Sequence, residues 1–204
     1  LFKEVNYNLQ TLINNIDIGM IGLPDIQRPF VWKDSKVRDL FDSMYKGYPV
    51  GYLLFWANGF DDTARTIGID DKQKHPSLLI VDGQQRLTSL YAVVKGVSVI
   101  RENFSEEKIV IAFHPIDEKF VVADAAIKRS PEYVHNISDI WNPDVSVYDF
   151  IDSFITDLRN SRDLSSEEDR QIKDALGKLS SLQSYPFSAL ELSPEINEEQ
   201  VADV

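Results

Sequence analysis

Two short runs, Val50 to Trp56 (VGYLLFW) and Leu78 to Val81 (LLIV), contain no charged residue and no alternation of polar with apolar positions. A strand with one wet face alternates; a strand covered on both faces does not. Each run is too short for a buried helix of ordinary length. The chain must therefore build a sheet whose interior strands are covered on both sides, and that requirement fixes the class as mixed α/β with helices between strands.

The flanking segments supply those helices. Leu9, Leu12, Ile13 and Ile16 recur at spacings of three and four, so Asn6 to Ile18 reads as a short helix. Met20 to Ile26 reads as extended. Asp34 reads as an N-cap, and Val37, Leu40, Phe41 and Met44 form one helical face stopped by Gly47 and Pro49. Ala57 to Ser77 reads as a polar loop. A helix follows from Gln84 to Lys95, with Leu87, Leu90, Tyr91 and Val94 on one face and Gly96 at its end. Ile109 to Phe113 and Lys119 to Val122 read as a strand pair turning at residues 115–118. Val145 to Leu158 and Ser165 to Leu182 read as helices, the second opened by the capping-box string Ser165-Ser-Glu-Glu168. Tyr185 to Leu192 reads as extended, and a last helix begins near Asn197.

Charge separates the chain into unlike halves. Residues 1–100 carry 11 basic and 11 acidic side chains; residues 101–204 carry 10 and 22, the whole net charge of −12. The acidic half is unsuited to lying along a nucleic-acid backbone, whereas the neutral half stays open to a polyanionic ligand. The 204 residues include no cysteine, which excludes disulfides and thiolate zinc sites and fits a reducing, cytoplasmic setting. No apolar run approaches the ~18 residues of a membrane span, and no leader opens the chain. It starts at Leu1 rather than Met, as an excised piece would.

Polar residues break the apolar pattern most sharply at Asp82-Gly-Gln-Gln-Arg86, between the second buried run and the helix after it. Gly83 permits a sharp turn. The helix that follows offers N–H groups without intrahelical acceptors and a partial positive charge, a ready anion site. Arg86 in its first turn suits bidentate phosphate binding. Gln84 and Gln85 can donate and accept, and Asp82 can take a ribose hydroxyl, a Mg²⁺ ion or a water. A plain helix cap by Asp82 is the simpler alternative. No Walker sequence is present. A second polar island, Gln27-Arg28, is followed by Pro29 and then Trp32; Arg28 is held extended by the proline.

LPDIQRPFVW (residues 23–32), SMYKGYPVGYLLFW (43–56) and LLIVDGQQRLTSLYAVVKG (78–96), in that order, resemble the N-terminal domain of GmrSD-type modification-dependent restriction proteins. That domain is similar in turn to the ParB/sulfiredoxin-like nucleotide-binding fold. The resemblance is strong over about residues 20–96 and looser beyond. It implies a ParB/sulfiredoxin-like core over 1–130 and a helical extension of the same domain over 131–204. The chain stops before a strand with a Phe-x-x-x-Asn segment that the family carries next.

The resemblance further implies a regulatory domain of a bacterial phage-defence protein that binds, and in the full-length protein hydrolyses, a nucleoside triphosphate with Mg²⁺. Gln27, Arg28, Trp32, Gly83, Arg86 and Thr88 are its nucleotide-binding candidates. Asp82, Gln84, Gln85 and Arg86 are its catalytic candidates, and Asp82 is the metal candidate. DNA would be engaged through the full-length protein or a nuclease domain absent here. His75, His114 and His135 are not arranged as an HNH-type centre. A DNA-binding module without turnover and a protein-interaction scaffold or toxin–antitoxin component are the alternatives.

Overall fold

The structure is a computed structural model and describes residues 1–24, 29–57, 64–66 and 76–202. Strands and helices are mixed throughout, as the two apolar runs require: β1 Phe2–Asn8, α1 Leu9–Asp17, β2 Ile21–Pro24, α2 Asp34–Tyr45, β3 Leu53–Trp56, β4 Ala64–Thr66, β5 Leu78–Asp82, α3 Gln84–Lys95, β6 Val99–Ile100, β7 Glu106–Glu107, β8 Ile111–His114, β9 Lys119–Val122, α4 Val147–Ser161, α5 Ser166–Ser180, β10 Pro186–Leu192 and α6 Glu198–Ala202. The chain forms two compact units. One comprises Leu1–Val31, Val50–Thr88 and Gln183–Val204; the other comprises Trp32–Pro49 and Ser89–Leu182.

The first unit holds a six-stranded sheet in the order β1-β10-β3-β5-β2-β4. The two apolar runs supply β3 and β5, the middle pair, but only the second half of the first run is a buried strand: β3 starts at Leu53, and Tyr52 before it is 58% exposed. Leu53, Phe55 and Ile80 are fully buried there. The sheet is mixed. β1 runs antiparallel to β10, β10 parallel to β3, β3 antiparallel to β5, β5 parallel to β2, and β2 antiparallel to β4. Between β3 and β5 the register slips: Leu54 faces Asp82 and Phe55 faces Ile80, so Val81 is an extra residue. Such a bulge bends a strand and re-aims its side chains, here one residue before Asp82. Trp56 closes an apolar cluster with Leu79, Leu192 and Ile196.

The N-terminus departs from the sequence reading. Asn6 to Asn8 belong to β1, not to the first helix, which starts at Leu9. The three residues pair with Pro186 to Ser188 of β10, so cross-strand pairing overrides a helical spacing set only by Leu9 onward. Asn8 then serves as the cap, its side chain accepting from Thr11 N at 2.8 Å. On the same sheet edge, Glu191 is buried at 6% exposure. It is compensated by Tyr7 Oη at 2.5 Å and Lys3 Nζ at 2.7 Å.

The second unit packs α2 with the β8–β9 hairpin and the α4–α5 pair. The rings of Tyr45, Phe113 and Phe120 meet at 4.7–5.5 Å. Tyr45 Oη donates to Glu118 at 2.7 Å, and burial together with that carboxylate holds its phenol far above the usual range. Trp141 packs on Phe41 and donates through Nε1 to Ser180 O at 3.2 Å. The Ser165 capping box forms as read. The Asp34 cap does not: Lys33 occupies the cap position, and Asp34 lies inside the first turn of α2.

Candidate functional site

Helix α3 begins directly after β5, with only Gly83 between them. Gly83 has φ +92°, in the left-handed region, and a Cβ there would lie 2.6 Å from Leu53 Cδ2. Both facts favour glycine: the backbone needs φ > 0, and a side chain would have to displace the end of the buried Leu53 side chain. Gly83 therefore stands at the cap position with no side chain to fill it. Its carbonyl accepts from Leu87 N at 2.9 Å. Asp82, the last residue of β5, is exposed.

Arg86 is half-buried and reaches back across the turn. Its Nη1 donates to Tyr52 O at 2.7 Å. A second left-handed glycine, Gly51 at φ +90°, lies beneath the guanidinium; a Cβ on it would approach Nη2 to 3.2 Å and Cζ to 3.5 Å. Two glycines thus make room for one guanidinium at the start of a helix. Among the described residues, no carboxylate pairs with Arg86.

Gln85 is engaged on both ends of its amide. Oε1 accepts from Val31 N at 2.8 Å, and Nε2 donates to Pro29 O at 3.1 Å. Gln84 is half-buried beside it. Thr88 Oγ1 is buried and has no hydrogen-bond partner among the described residues. An unpaired hydroxyl of that kind costs about 1–3 kcal/mol. Gln27 and Arg28 lie outside the described residues, as do Asp61, Asp62, Asp70, Asp71 and His75.

Trp32 belongs to the second unit and is held by a residue that sequence reasoning did not single out. Arg101 donates through Nη1 to Trp32 O at 2.5 Å, through Nη2 to Asp34 Oδ1 at 2.5 Å, and through Nε to Glu107 Oε2 at 3.0 Å. The Lys36 ammonium sits 4.2 Å from the centre of the Trp32 ring. No sequence signal marks Arg101, because its partners are far away along the chain. Gly51 was legible in principle, as a glycine inside an otherwise apolar run.

The histidines make local backbone contacts. His114 Nδ1 accepts from Asp117 N at 3.1 Å, and His135 Nε2 lies 2.7 Å from Ser130 O. Among the described residues no group of three or more His, Asp or Glu is placed to hold a metal ion. No helix described is long and apolar enough to cross a membrane.

Residues 9–204 match the GmrSD restriction endonuclease N-terminal domain. The chain belongs to that family. An uncharacterized protein of Methanocaldococcus jannaschii is 32% identical over 96 residues, which cover 43% of this chain and 17% of that protein. The chain thus matches a small part of a much longer relative. Membership in the GmrSD family makes this a restriction-related domain.

Proposed function

We propose that this GmrSD-family domain binds a nucleoside triphosphate at the Asp82–Thr88 turn and, within the full-length protein, hydrolyses it to regulate DNA restriction in bacterial phage defence. The observation that carries the reading is Arg86: a half-buried guanidinium without a carboxylate partner among the described residues, seated on Gly51 at the first turn of α3. A helix start and an uncompensated arginine both favour an anion, and their coincidence suits the charge of a polyphosphate. The likeness of the two motifs to ParB/sulfiredoxin-like nucleotide-binding domains narrows that anion to a nucleotide and extends the candidates to Gln27 and Arg28.

In this reading Arg86 neutralises phosphate charge, and Gln84 or Gln85 orients the attacking water. Asp82 offers one exposed carboxylate. Mg²⁺ is commonly held by one or two carboxylates plus substrate phosphates and waters, so a single acid at a strand end fits an ion that arrives with the nucleotide. Bound there, Mg²⁺ would offset the charge of the phosphates. Nucleotide occupancy then biases a conformation read by a nuclease domain or partner.

Equilibrium dialysis of ATP, GTP, CTP and UTP, each with Mg²⁺ and with EDTA, tests the proposal. Saturable binding of at least one triphosphate, lost in Arg86→Ala, is the expected result. Equal binding by wild type and Arg86→Ala would overturn the site, and binding of DNA alone would favour the module without turnover.

A further inference from the structure

Gln84 and Gln85 are adjacent amides in one motif, yet among the described residues only Gln85 has both ends of its side chain bonded to the backbone of another segment. We propose that Gln85 is a positioning residue that clamps Pro29–Val31, leaving Gln84 as the amide that faces the ligand. The assignment rests on the nucleotide reading and deepens it by dividing the work of the two glutamines.

The geometry is that of a peptide group borrowed by a side chain. In an extended segment the carbonyl of one residue and the N–H two residues later point the same way. Gln85 meets both: Nε2 donates to Pro29 O at 3.1 Å and Oε1 accepts from Val31 N at 2.8 Å. A primary amide is the side-chain group that donates and accepts from adjacent atoms in one plane. No carboxylate does so, because an ionised acid only accepts. Between the two bonded residues Phe30 is buried at 5% exposure, so the segment is pinned by its side chain as well as by its backbone.

The clamped segment immediately follows Gln27-Arg28 in the chain, and Pro29 has its φ fixed by its ring. Anchoring Pro29 O and Val31 N therefore removes freedom from the exit of the first motif. A glutamine whose amide is committed in this way is poorly placed to orient water. Releasing it to do so would exchange two hydrogen bonds that hold the segment for bonds to water.

The test compares Gln85→Ala, Gln85→Glu and Gln84→Ala with wild type, using two readouts. The first is hydrogen exchange at the Val31 amide, followed by NMR. The second is the dissociation constant for the triphosphate that wild type binds, with turnover at saturation wherever the protein turns over. A clamp predicts that Gln85→Ala speeds exchange at Val31 and weakens binding, each by about tenfold. Gln85→Glu, which retains an acceptor for Val31 but loses the donor to Pro29, falls between. Gln84→Ala leaves Val31 exchange unchanged.

Unchanged Val31 exchange in Gln85→Ala would overturn the clamp. Unchanged affinity with collapsed turnover in Gln85→Ala would overturn it too, and return Gln85 to the water. If wild type binds no triphosphate, the nucleotide reading falls and takes the division of work with it. The Val31 exchange rates would still show separately whether the clamp exists.

Discussion

Arg86 and Arg101 both donate to a backbone carbonyl, and the resemblance to other proteins points at only one of them. Arg101, 17% exposed, also binds the carboxylates of Asp34 and Glu107. Its charge is spent inside the fold, tying the first turn of α2 to the β6–β7 hairpin. Arg86 rests on the backbone of Gly51 and Tyr52, with no carboxylate beside it among the described residues. Half-burying a cation without a counter-charge carries a cost, and in the proposed function a ligand's phosphates would offset it. In the proposed function, the contrast separates an arginine that stabilises from one that would bind.

The largest effect is expected where the seat of Arg86 is formed. Gly83→Ala combines a left-handed φ with a 2.6 Å approach to Leu53. It should destabilise by about 3 kcal/mol, roughly 6–12 °C in melting temperature. Gly47→Ala is the control: φ is +75°, but a Cβ there meets nothing within 4 Å. Its cost should be conformational only, about 1 kcal/mol. Equal losses at the two glycines, by thermal unfolding, would remove the close-approach argument.

Next comes Arg101→Ala, which removes the cation shared by Asp34 and Glu107 and the donor to Trp32 O. Because both carboxylates are partly exposed, a loss of about 2 kcal/mol is expected, roughly 4–8 °C without any ligand. Gly51→Ala should cost about 1 kcal/mol in strain. It should weaken anion binding more than it lowers stability, because its Cβ pushes on the Arg86 guanidinium rather than on the core. Melting temperature and inorganic triphosphate affinity, measured together, separate those effects.

The smallest effect concerns acid. Glu132 is held below the usual carboxylate range by its hydrogen bonds from Arg162, and Glu168 by the Ser165 backbone N–H and then Arg162. Asp169 is lowered by Lys173. A carboxylate depressed in the folded state stabilises the fold above its unfolded value, about 4.3 for Glu. That contribution disappears as pH falls through the folded value. Stability should therefore decline below about pH 4.5, and Arg162→Gln should flatten the decline. An unaltered acid profile in Arg162→Gln would show that the network carries no such weight.

What the sequence disclosed followed from local physics. Continuous apolar runs named the two central strands, a capping box named α5, and glycines named the ends of α2 and α3. The first strand escaped, because Phe2–Asn8 is a sheet edge whose identity depends on β10, nearly the whole chain away. The candidate site was legible as a string and illegible as a geometry. Asp82-Gly-Gln-Gln-Arg86 stood out as polar residues at an apolar seam. That Arg86 turns back onto Gly51, that Gln85 binds Pro29 and Val31, and that a bulge precedes Asp82 are all long-range pairings. Arg101 was missed for the same reason.

The most direct measurement is thermal unfolding of wild type and Arg86→Ala with each of the four ribonucleoside triphosphates, with and without Mg²⁺. A ligand at about 100 times its dissociation constant adds about 2.7 kcal/mol, or roughly 5–10 °C for a domain of this size. The account predicts a shift of that order with at least one triphosphate in wild type and none in Arg86→Ala, whose unliganded melting temperature stays close to wild type. A nucleotide-induced shift that survives Arg86→Ala, or no shift in wild type with any triphosphate, would contradict it.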